Sequence, residues 1–392
     1  MKRVLFIAYK NYHLDPRIIR ERNALMADGY HVDHICLPPI FDVSSIINPA
    51  CESLHCLPIM KKRGRKLRYL FEYAAFFSYA FFKCTTLFIK HRYRLIQVFV
   101  MPEALVFTAL IPWLFGAKIL MDWEDPSIEV YKSKFRSNYD WIFIAVIRML
   151  EKLSTLFSHH IITPNIGFKR MFAARGIPDS KIDIVMNAPD QDIFDAPRQS
   201  EPVLPITRPF TLLFNGSNLR RHGTDLIIRA LALIPEVRKH TQVYILDSKL
   251  SDYAHECHEL VDELGVADSI YFYDSLPNDQ MAQFISQVSA GIVPNRDTPF
   301  TRINFPQRIM EFAYFRKPVI ASRLRGIEDY MPDDSIVYFT PENVPELAEK
   351  IRFLFQNEQA RQAIGERGHD VCSTLEWKET YLANVRRLYG DR

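Results

Sequence analysis

Arg308 and Glu311 lie three residues apart in the segment PNRDTPFTRINFPQRIMEFAYFRKPVIAS, Pro294 to Ser322. On a helix this spacing puts both side chains on one side. Asn304 is a suitable N-cap, Pro306 fits a first turn, and Ile309, Phe312 and Ala313 form a face that packs on a sheet. The amino end of such a helix offers unpaired N–H groups and the positive end of a dipole. Arg308 there adds charge against a diphosphate, and Glu311 accepts from ribose hydroxyls. On a solvated helix the same two residues form a surface ion pair worth roughly a few tenths of a kcal/mol, so spacing alone leaves both readings open.

A second segment, FTLLFNGSNLRRHGTDLIIRA from Phe210 to Ala230, runs an apolar strand into Gly216 and Ser217, then a basic loop, then an amphipathic helix opened by Gly223. Gly216 permits close backbone approach to a ligand, and Arg220 or Arg221 supplies charge for a departing diphosphate. A third, the strand Lys118 to Met121, ends in Asp122-Trp123-Glu124-Asp125-Pro126. Carboxylates at the carboxyl end of a parallel strand suit a general base or the stabilisation of an oxocarbenium ion, and equally suit capping of the next helix. The opening loop YKNYHLDPR offers His13 and Asp15 towards an acceptor, with Asp15 also a natural N-cap before Pro16. It lacks the glycines of a dinucleotide fingerprint, which argues against NAD.

Positioning these groups requires strands whose carboxyl ends converge. Short apolar runs at Val4 to Ala8, His31 to Leu37, Leu95 to Val100, Lys118 to Met121, His160 to Thr163 and Ile182 to Met186 alternate with helical stretches. A second alternation follows, with strands expected at Phe210 to Phe214, Val243 to Leu246, Ile270 to Tyr273, Ala290 to Val293 and Val319 to Ala321, and helices starting near Thr224, Met281 and Pro306. The proline-rich stretch between Pro189 and Pro209 reads as a linker. The expected class is therefore α/β, with two Rossmann-like domains and a cleft between them: residues 1–190, residues 208–375, and a final helix over 376–392 that crosses back to the first domain.

Composition narrows the partners. A net charge of +3 over 392 residues does not suit nucleic-acid binding. The six cysteines lack the paired spacing of a zinc site, and the five apolar residues after Arg3 are too few for a signal peptide. Lys61 to Arg68 reads KKRGRKLR and leads into an aromatic run from Tyr69 to Phe82, so residues 61–82 suit either a peripheral contact with an anionic membrane or an ordinary buried helix. No Asp-x-Asp motif is placed at a strand end to bridge a diphosphate through a metal, so no metal or other cofactor is expected.

Taken together, these segments resemble glycosyltransferase family 4. Its donor signature is a strand ending in Pro-Ser, a Pro-x-Lys-x-x-Glu helix and a Pro-Val-Ile strand, matched here by Pro294-Asn295, by Pro306 to Glu311 with Arg308 at the Lys, and by Pro318-Val319-Ile320. The resemblance implies that Glu311 holds the nucleotide ribose. An earlier Glu of the pattern falls at Ile303, so the family's donor-sugar contact is either missing or supplied by Asn304 or Arg302. An Arg and a Lys in the other loop fall at Ser217 and His222, with Arg220 and Arg221 taking their role from shifted positions. Glu124 stands where similar transferases carry a His, beside Asp125, in a stretch resembling Asp-x-His-Asp-x-x-x-Glu. Asp15-Pro16-Arg17 and Asn187 match two further family stretches.

What the resemblance implies is a GT-B enzyme whose first domain binds the acceptor and whose second binds a nucleotide-sugar. It would carry out a retaining, metal-independent transfer to a polysaccharide or lipid-linked glycan acceptor. Its place would be the cytoplasm, peripheral to the inner face of the cell membrane. Two other readings stay open: a nucleotide-sugar epimerase of the same architecture, and a non-catalytic nucleotide-sugar-binding subunit.

Overall fold

The computed structural model describes residues 2–11, 15–39, 48–58, 66–134, 140–189, 191–195, 203–246 and 252–390. The chain forms two compact units, Met1–Asn187 with Glu376–Arg392, and Ala188–Leu375.

The first unit carries a seven-stranded sheet of β1 (Lys2–Ala8), β2 (Tyr30–Cys36), β3 (Glu52–Cys56), β4 (Leu95–Val100), β5 (Lys118–Trp123), β6 (His160–Thr163) and β7 (Ile182–Ile184), in the order β3-β2-β1-β4-β5-β6-β7. Its pairings are parallel, with Val4 opposite both Val32 and Leu95. β2 and β4 are buried at every position, as parallel strands covered on both faces must be. The helices are α1 (Pro16–Ala27), α2 (Lys66–His91), α3 (Leu110–Leu114), α4 (Ser127–Lys134), α5 (Asp140–Phe157) and α6 (Ile166–Ala174). Asp15 caps α1, accepting from the backbone N–H of Arg17 and Ile18 at 3.1 and 3.2 Å, with Pro16 in the first turn.

The second unit carries a six-stranded sheet of β8 (Phe210–Asn215), β9 (Thr241–Leu246), β10 (Ile270–Tyr273), β11 (Ala290–Val293), β12 (Val319–Ser322) and β13 (Val337–Phe339), in the order β10-β9-β8-β11-β12-β13 and again parallel. Around it are α7 (Gln191–Phe194), α8 (Thr224–Ala232), α9 (Pro235–Arg238), α10 (Asp252–Glu263), α11 (Asn278–Gln287), α12 (Gln307–Tyr314), α13 (Arg325–Glu328), α14 (Val344–Gln356) and α15 (Glu358–Ser373). Its core joins Leu212, Phe214 and Ile292 of the sheet to Ile227, Leu231 and Ile351 of the helices. A Cβ on Gly291 would meet the Phe312 ring at 2.3 Å, so the bare backbone of β11 lets α12 sit directly on the sheet.

The last helix, α16 (Lys378–Tyr389), belongs to the first unit. It buries Tyr381, Leu382 and Val385 in that core, and the Tyr381 hydroxyl donates to Gln97 Oε1 at 2.8 Å. Arg386 pairs with Asp28 at 2.6 Å.

Both sheets reverse strand order at one point. β1 lies between β2 and β4, and β8 lies between β9 and β11. Loops leaving the carboxyl ends of such neighbours diverge to opposite faces and open a crevice, which is where parallel sheets hold ligands. Lys10 follows β1 and Glu124 follows β5; Gly216 follows β8 and Asn295 follows β11.

Some elements depart from the sequence expectation. The strands Glu52–Cys56 and Val337–Phe339 were not anticipated, because one edge strand is polar at most positions and the other is only three residues long. α2 runs for 26 residues, well beyond Tyr69 to Phe82. The basic run expected to meet a membrane lies, over Lys61 to Arg65, outside the described residues.

Candidate functional site

In the second unit, the turn after β8 and the turn after β11 are tied together. Arg296 N–H donates to Arg221 O at 2.9 Å. Gly223, at φ 72°, abuts the Pro294 carbonyl so closely that a Cβ would come within 2.1 Å of it, and its left-handed backbone suits glycine besides. Arg296 then clamps Asp225 with two hydrogen bonds, 2.9 and 2.7 Å, and reaches Glu342 at 2.9 Å.

Against this frame lies Arg308, on the first turn of α12 and almost fully buried. Its Nη2 donates to Asn295 Oδ1 at 2.9 Å, its Nη1 lies 3.4 Å from Asn215 O, and its guanidinium sits 5.0 Å over the Phe214 ring. Its Nε is buried with no acceptor. Among the described residues no carboxylate lies within ion-pairing distance of it. Burial, followed by Arg221, brings its pKa down to about 10, with Glu311 opposing, so it is still a cation at neutral pH. A guanidinium hydrogen-bonded only by neutral oxygens, with Glu311 acting on it from beyond ion-pairing distance, leaves its charge only partly compensated, an arrangement that an anion would relieve. Gly216 makes room for it: a Cβ there would stand 1.8 Å from Arg308 Nη1.

Glu311 lies one turn further along α12. It accepts from Asn215 Nδ2 at 2.9 Å and Gln307 Nε2 at 3.1 Å, and burial raises its pKa while Asn215, Arg308 and Gln307 pull it back. Asn215 thus ties Glu311 through its side chain to the strand end that also meets Arg308. α12 has no side-chain cap: its N-cap residue is Pro306, in place of the expected Asn304. Asn304 instead packs its backbone against Gly326, where a Cβ would meet its carbonyl at 2.5 Å. Proline as N-cap leaves the N–H groups at the start of α12 without a capping side chain.

The basic loop divides in two. His222 Nδ1 lies 2.7 Å from Ser217 O and its Nε2 lies 3.2 Å from Arg221 Nε. Burial, then Arg308 and Arg221, push its pKa down to about 3. The ring is therefore neutral, with Nδ1–H donating to Ser217 O and Nε2 accepting from Arg221. Arg221 also lies 5.1 Å over the Phe300 ring. Arg220 goes elsewhere: its guanidinium stacks 4.9 Å from the Tyr253 ring and pairs with Glu256 on α10. Arg302 is engaged by Asp297 at 2.8 Å and is exposed. Arg220 and Arg302, both expected at the donor site, are thus each engaged by a carboxylate outside the Arg308 cluster. The structure brings Gly216, Ser217, Arg221, Arg308 and Glu311 together.

In the first unit, Lys10 Nζ lies 2.7 Å from both Asp15 Oδ2 and Glu124 Oε1. Glu124 is raised to about 7, first by burial, with Lys10 opposing and Asp15 and Asp122 adding to the rise. Burial works to lower the Lys10 ammonium, and Glu124 and Asp15 more than reverse that, so it stays charged. A carboxyl that titrates near neutrality can give and take a proton under working conditions. Asp125 is half-buried on the turn into α4, and His13 lies outside the described residues. Lys10 was not singled out from the sequence; its signal was a lysine just beyond the carboxyl end of the first strand.

Beneath Glu124 lies a different arrangement. Asp122 accepts from Arg17 Nε at 2.8 Å, Glu21 lies 3.3 Å from the same nitrogen, and Gln97 Nε2 donates to Glu21 at 2.6 Å. Arg17 Nη1 donates to Val185 O at 2.7 Å and Asn187 Oδ1 at 2.9 Å. Arg17 and Asn187, both part of the family-like pattern, thus meet in a buried network in which Asp122 and Glu21 face the Arg17 guanidinium, while its Nη2 has no hydrogen-bond partner.

Residues 195–371 match the family described as glycosyl transferases group 1. An uncharacterised glycosyltransferase of Methanocaldococcus jannaschii is 27% identical over 183 residues, which cover 46% of this chain and 47% of that protein. The match thus spans about half the length of that curated relative. Among solved structures, the sucrose-phosphate synthase of Thermosynechococcus elongatus superposes with a TM-score of 0.76 at 18% identity, covering 99% of this chain and 98% of the other. Anabaena HepE in complex with UDP and glucose superposes at 0.73 with 15% identity and all of both chains covered. At these identities the likeness establishes the fold, which is GT-B.

Proposed function

From the match of residues 195–371 to the glycosyl transferases group 1 family, we propose that the protein transfers a sugar from a nucleotide-sugar to a glycan acceptor, polysaccharide or lipid-linked, in the cytoplasm. The observation that carries this reading is Arg308, a buried cation with an unsatisfied Nε and no carboxylate partner, set beside Gly216 and an uncapped helix start. The anion it awaits is the donor diphosphate, with Arg221, aimed by His222, as the second cation. Glu311 takes the ribose hydroxyls, its carboxylate held in place by Asn215 and Gln307.

Transfer proceeds with retention, the acceptor hydroxyl arriving on the face that the nucleotide leaves. Negative charge growing on the diphosphate meets the fixed guanidinium of Arg308 and the N–H groups of α12, so no metal is needed; preorganised donors of this kind lower a barrier by roughly 3 kcal/mol each. Glu124, titrating near neutrality and oriented by Lys10, receives the acceptor proton, and Asp125 lies next to it. That HepE has been solved with UDP and glucose supports a nucleotide-sugar donor.

Thermal unfolding against a panel of nucleotide-sugars tests the reading. A true donor raises the melting point, since a ligand that binds only the folded state must stabilise it. Glu311→Ala is expected to remove most of that rise; an undiminished rise eliminates the ribose assignment. Glu124 also suits proton transfer in an epimerase, and donor incubated without acceptor separates the two, since epimerised sugar supports that second activity.

A further inference from the structure

Helix α5 in the first unit turns polar groups inward and leaves large apolar ones outside. Its inward side mixes half-buried Ile144, Ile147 and Leu150 with buried polar groups: the Ser154 hydroxyl donates to Glu103 O at 3.0 Å, and Glu151 accepts from Arg175 at 2.8 Å. Its outward arc is apolar. Trp141, Ile142, Val146, Met149, Leu153 and Leu156 are exposed, Trp141 at 70% and Leu156 at 68%. At 100° per residue these six fall on one side of the helix. Arg148 and Lys152, one turn apart, run along one border of that arc. Glu151, the sole acid between Trp141 and Phe157, is turned inward to Arg175.

The patch continues onto α3. Trp113 stacks on Phe157 at 5.1 Å, and Leu114 and Phe115 beside it are exposed, Phe115 at 72%. Between α5 and the turn after α6 is a cavity of about 500 Å³ whose lining includes Arg148, Glu151, Lys152, Leu156, Arg175 and Lys181. Of its ten lining residues four are cationic and one, Glu151, is acidic and paired with Arg175. Soluble surfaces seldom keep so many contiguous large apolar side chains in water. Yet among the described residues no helix is long and apolar enough to cross a membrane.

We propose that the exposed arc of α5, with Trp113, Leu114 and Phe115, lies in the surface of an anionic lipid bilayer, Arg148 and Lys152 reaching the head-group phosphates. An apolar arc bordered by same-sign cations is the pattern of a helix lying in the interface plane, and long basic side chains can bury their stems while holding the charge at head-group level. Like charges one turn apart repel on an isolated helix, and an array of phosphates reverses that effect. Tryptophans at both parts of the patch suit the boundary between acyl chains and head groups. The surface belongs to other helices than residues 61–82, and it does not depend on the transfer chemistry.

Flotation of the full chain with phosphatidylcholine vesicles, pure or doped with phosphatidylglycerol, tests this. The protein is expected to float with doped vesicles, and added salt should weaken that binding. Combining Met149→Ser, Leu153→Ser and Leu156→Ser should cut binding by roughly tenfold or more. Arg148→Gln with Lys152→Gln should cut binding to doped vesicles roughly tenfold and leave the weak binding to pure phosphatidylcholine unchanged. Phe353→Ser, an exposed site in the second unit, should change nothing. These variants alter exposed positions, and an unchanged circular dichroism spectrum shows that each still folds. The proposal is overturned if the wild type stays unfloated, or if the triple Ser variant floats as well as the wild type. It is equally overturned if light scattering shows a dimer that the triple Ser variant dissociates while no form binds vesicles, since a second copy then covers the face.

Discussion

The two units each bury an arginine at the carboxyl side of a parallel sheet, and they neutralise it in opposite ways. Each leaves one buried nitrogen without an acceptor, Nη2 of Arg17 and Nε of Arg308, but Arg17 is met by the carboxylates of Asp122 and Glu21 at 2.8 and 3.3 Å, with two further oxygens on Nη1. Arg308 is met by an amide oxygen and a backbone carbonyl, and its Nε by nothing. A buried charge answered by opposite charges is complete within the fold, whereas one answered only by dipoles is unfinished until something binds. Burial by itself therefore does not mark a functional arginine; the missing counter-charge does.

That contrast can be broken by experiment. Arg17→Met should leave Asp122 and Glu21 buried without their cation and cost about 3–5 kcal/mol of stability in urea unfolding of the first unit. Arg308→Met should do the reverse, leaving unfolding unchanged or slightly more favourable to the native state while turnover falls roughly 100- to 1000-fold. If Arg308→Met unfolds the protein as Arg17→Met does, the distinction fails.

Glu124 sharpens the contrast, since it is paired yet close to titrating. Its folded pKa of about 7 lies above the ordinary 4.5, so between those values the native state holds a proton that the unfolded chain has lost. This group's contribution to stability is therefore complete below about pH 4.5 and falls as pH rises towards 7. Glu124→Gln should flatten that part of the stability profile relative to wild type. It should also remove a neutral-pH inflection from kcat/KM and lower turnover by about 100-fold. The smallest effect is expected for Arg220→Gln, which breaks an exposed pair with Glu256 and should change stability by roughly 0.5 kcal/mol or less, with activity intact. A large loss of activity there would return Arg220 to the donor site.

Sequence alone revealed the parallel α/β character because buried parallel strands are nearly continuous apolar runs, as in LIQVFV of β4. It failed at β3, where ESLHC has the polar content of a loop and is a strand only because β2 pairs with it. At the site, spacing placed Glu311 and Arg308 on one side of one helix but left a surface ion pair open too, and only the resemblance to a donor-site pattern favoured binding. The choice between Arg220 and Arg221 was not legible, since adjacent residues in a turn point apart and Glu256, which claims Arg220, lies 36 residues on. Nor was the cap: Asn304 is the better capping residue by type, but Gly326 draws its backbone close, and the helix starts after Pro306 instead.

The return of α16 to the first unit bears on how the chain is made. A ribosome delivers the amino-terminal sheet first, and such units ordinarily fold as they emerge. Here Gln97 waits for Tyr381, and Asp28 for Arg386, until everything between has been synthesised. The earliest part of the protein is thus the last to be finished, and a truncated product would betray itself by an unfilled groove over β4 and β5.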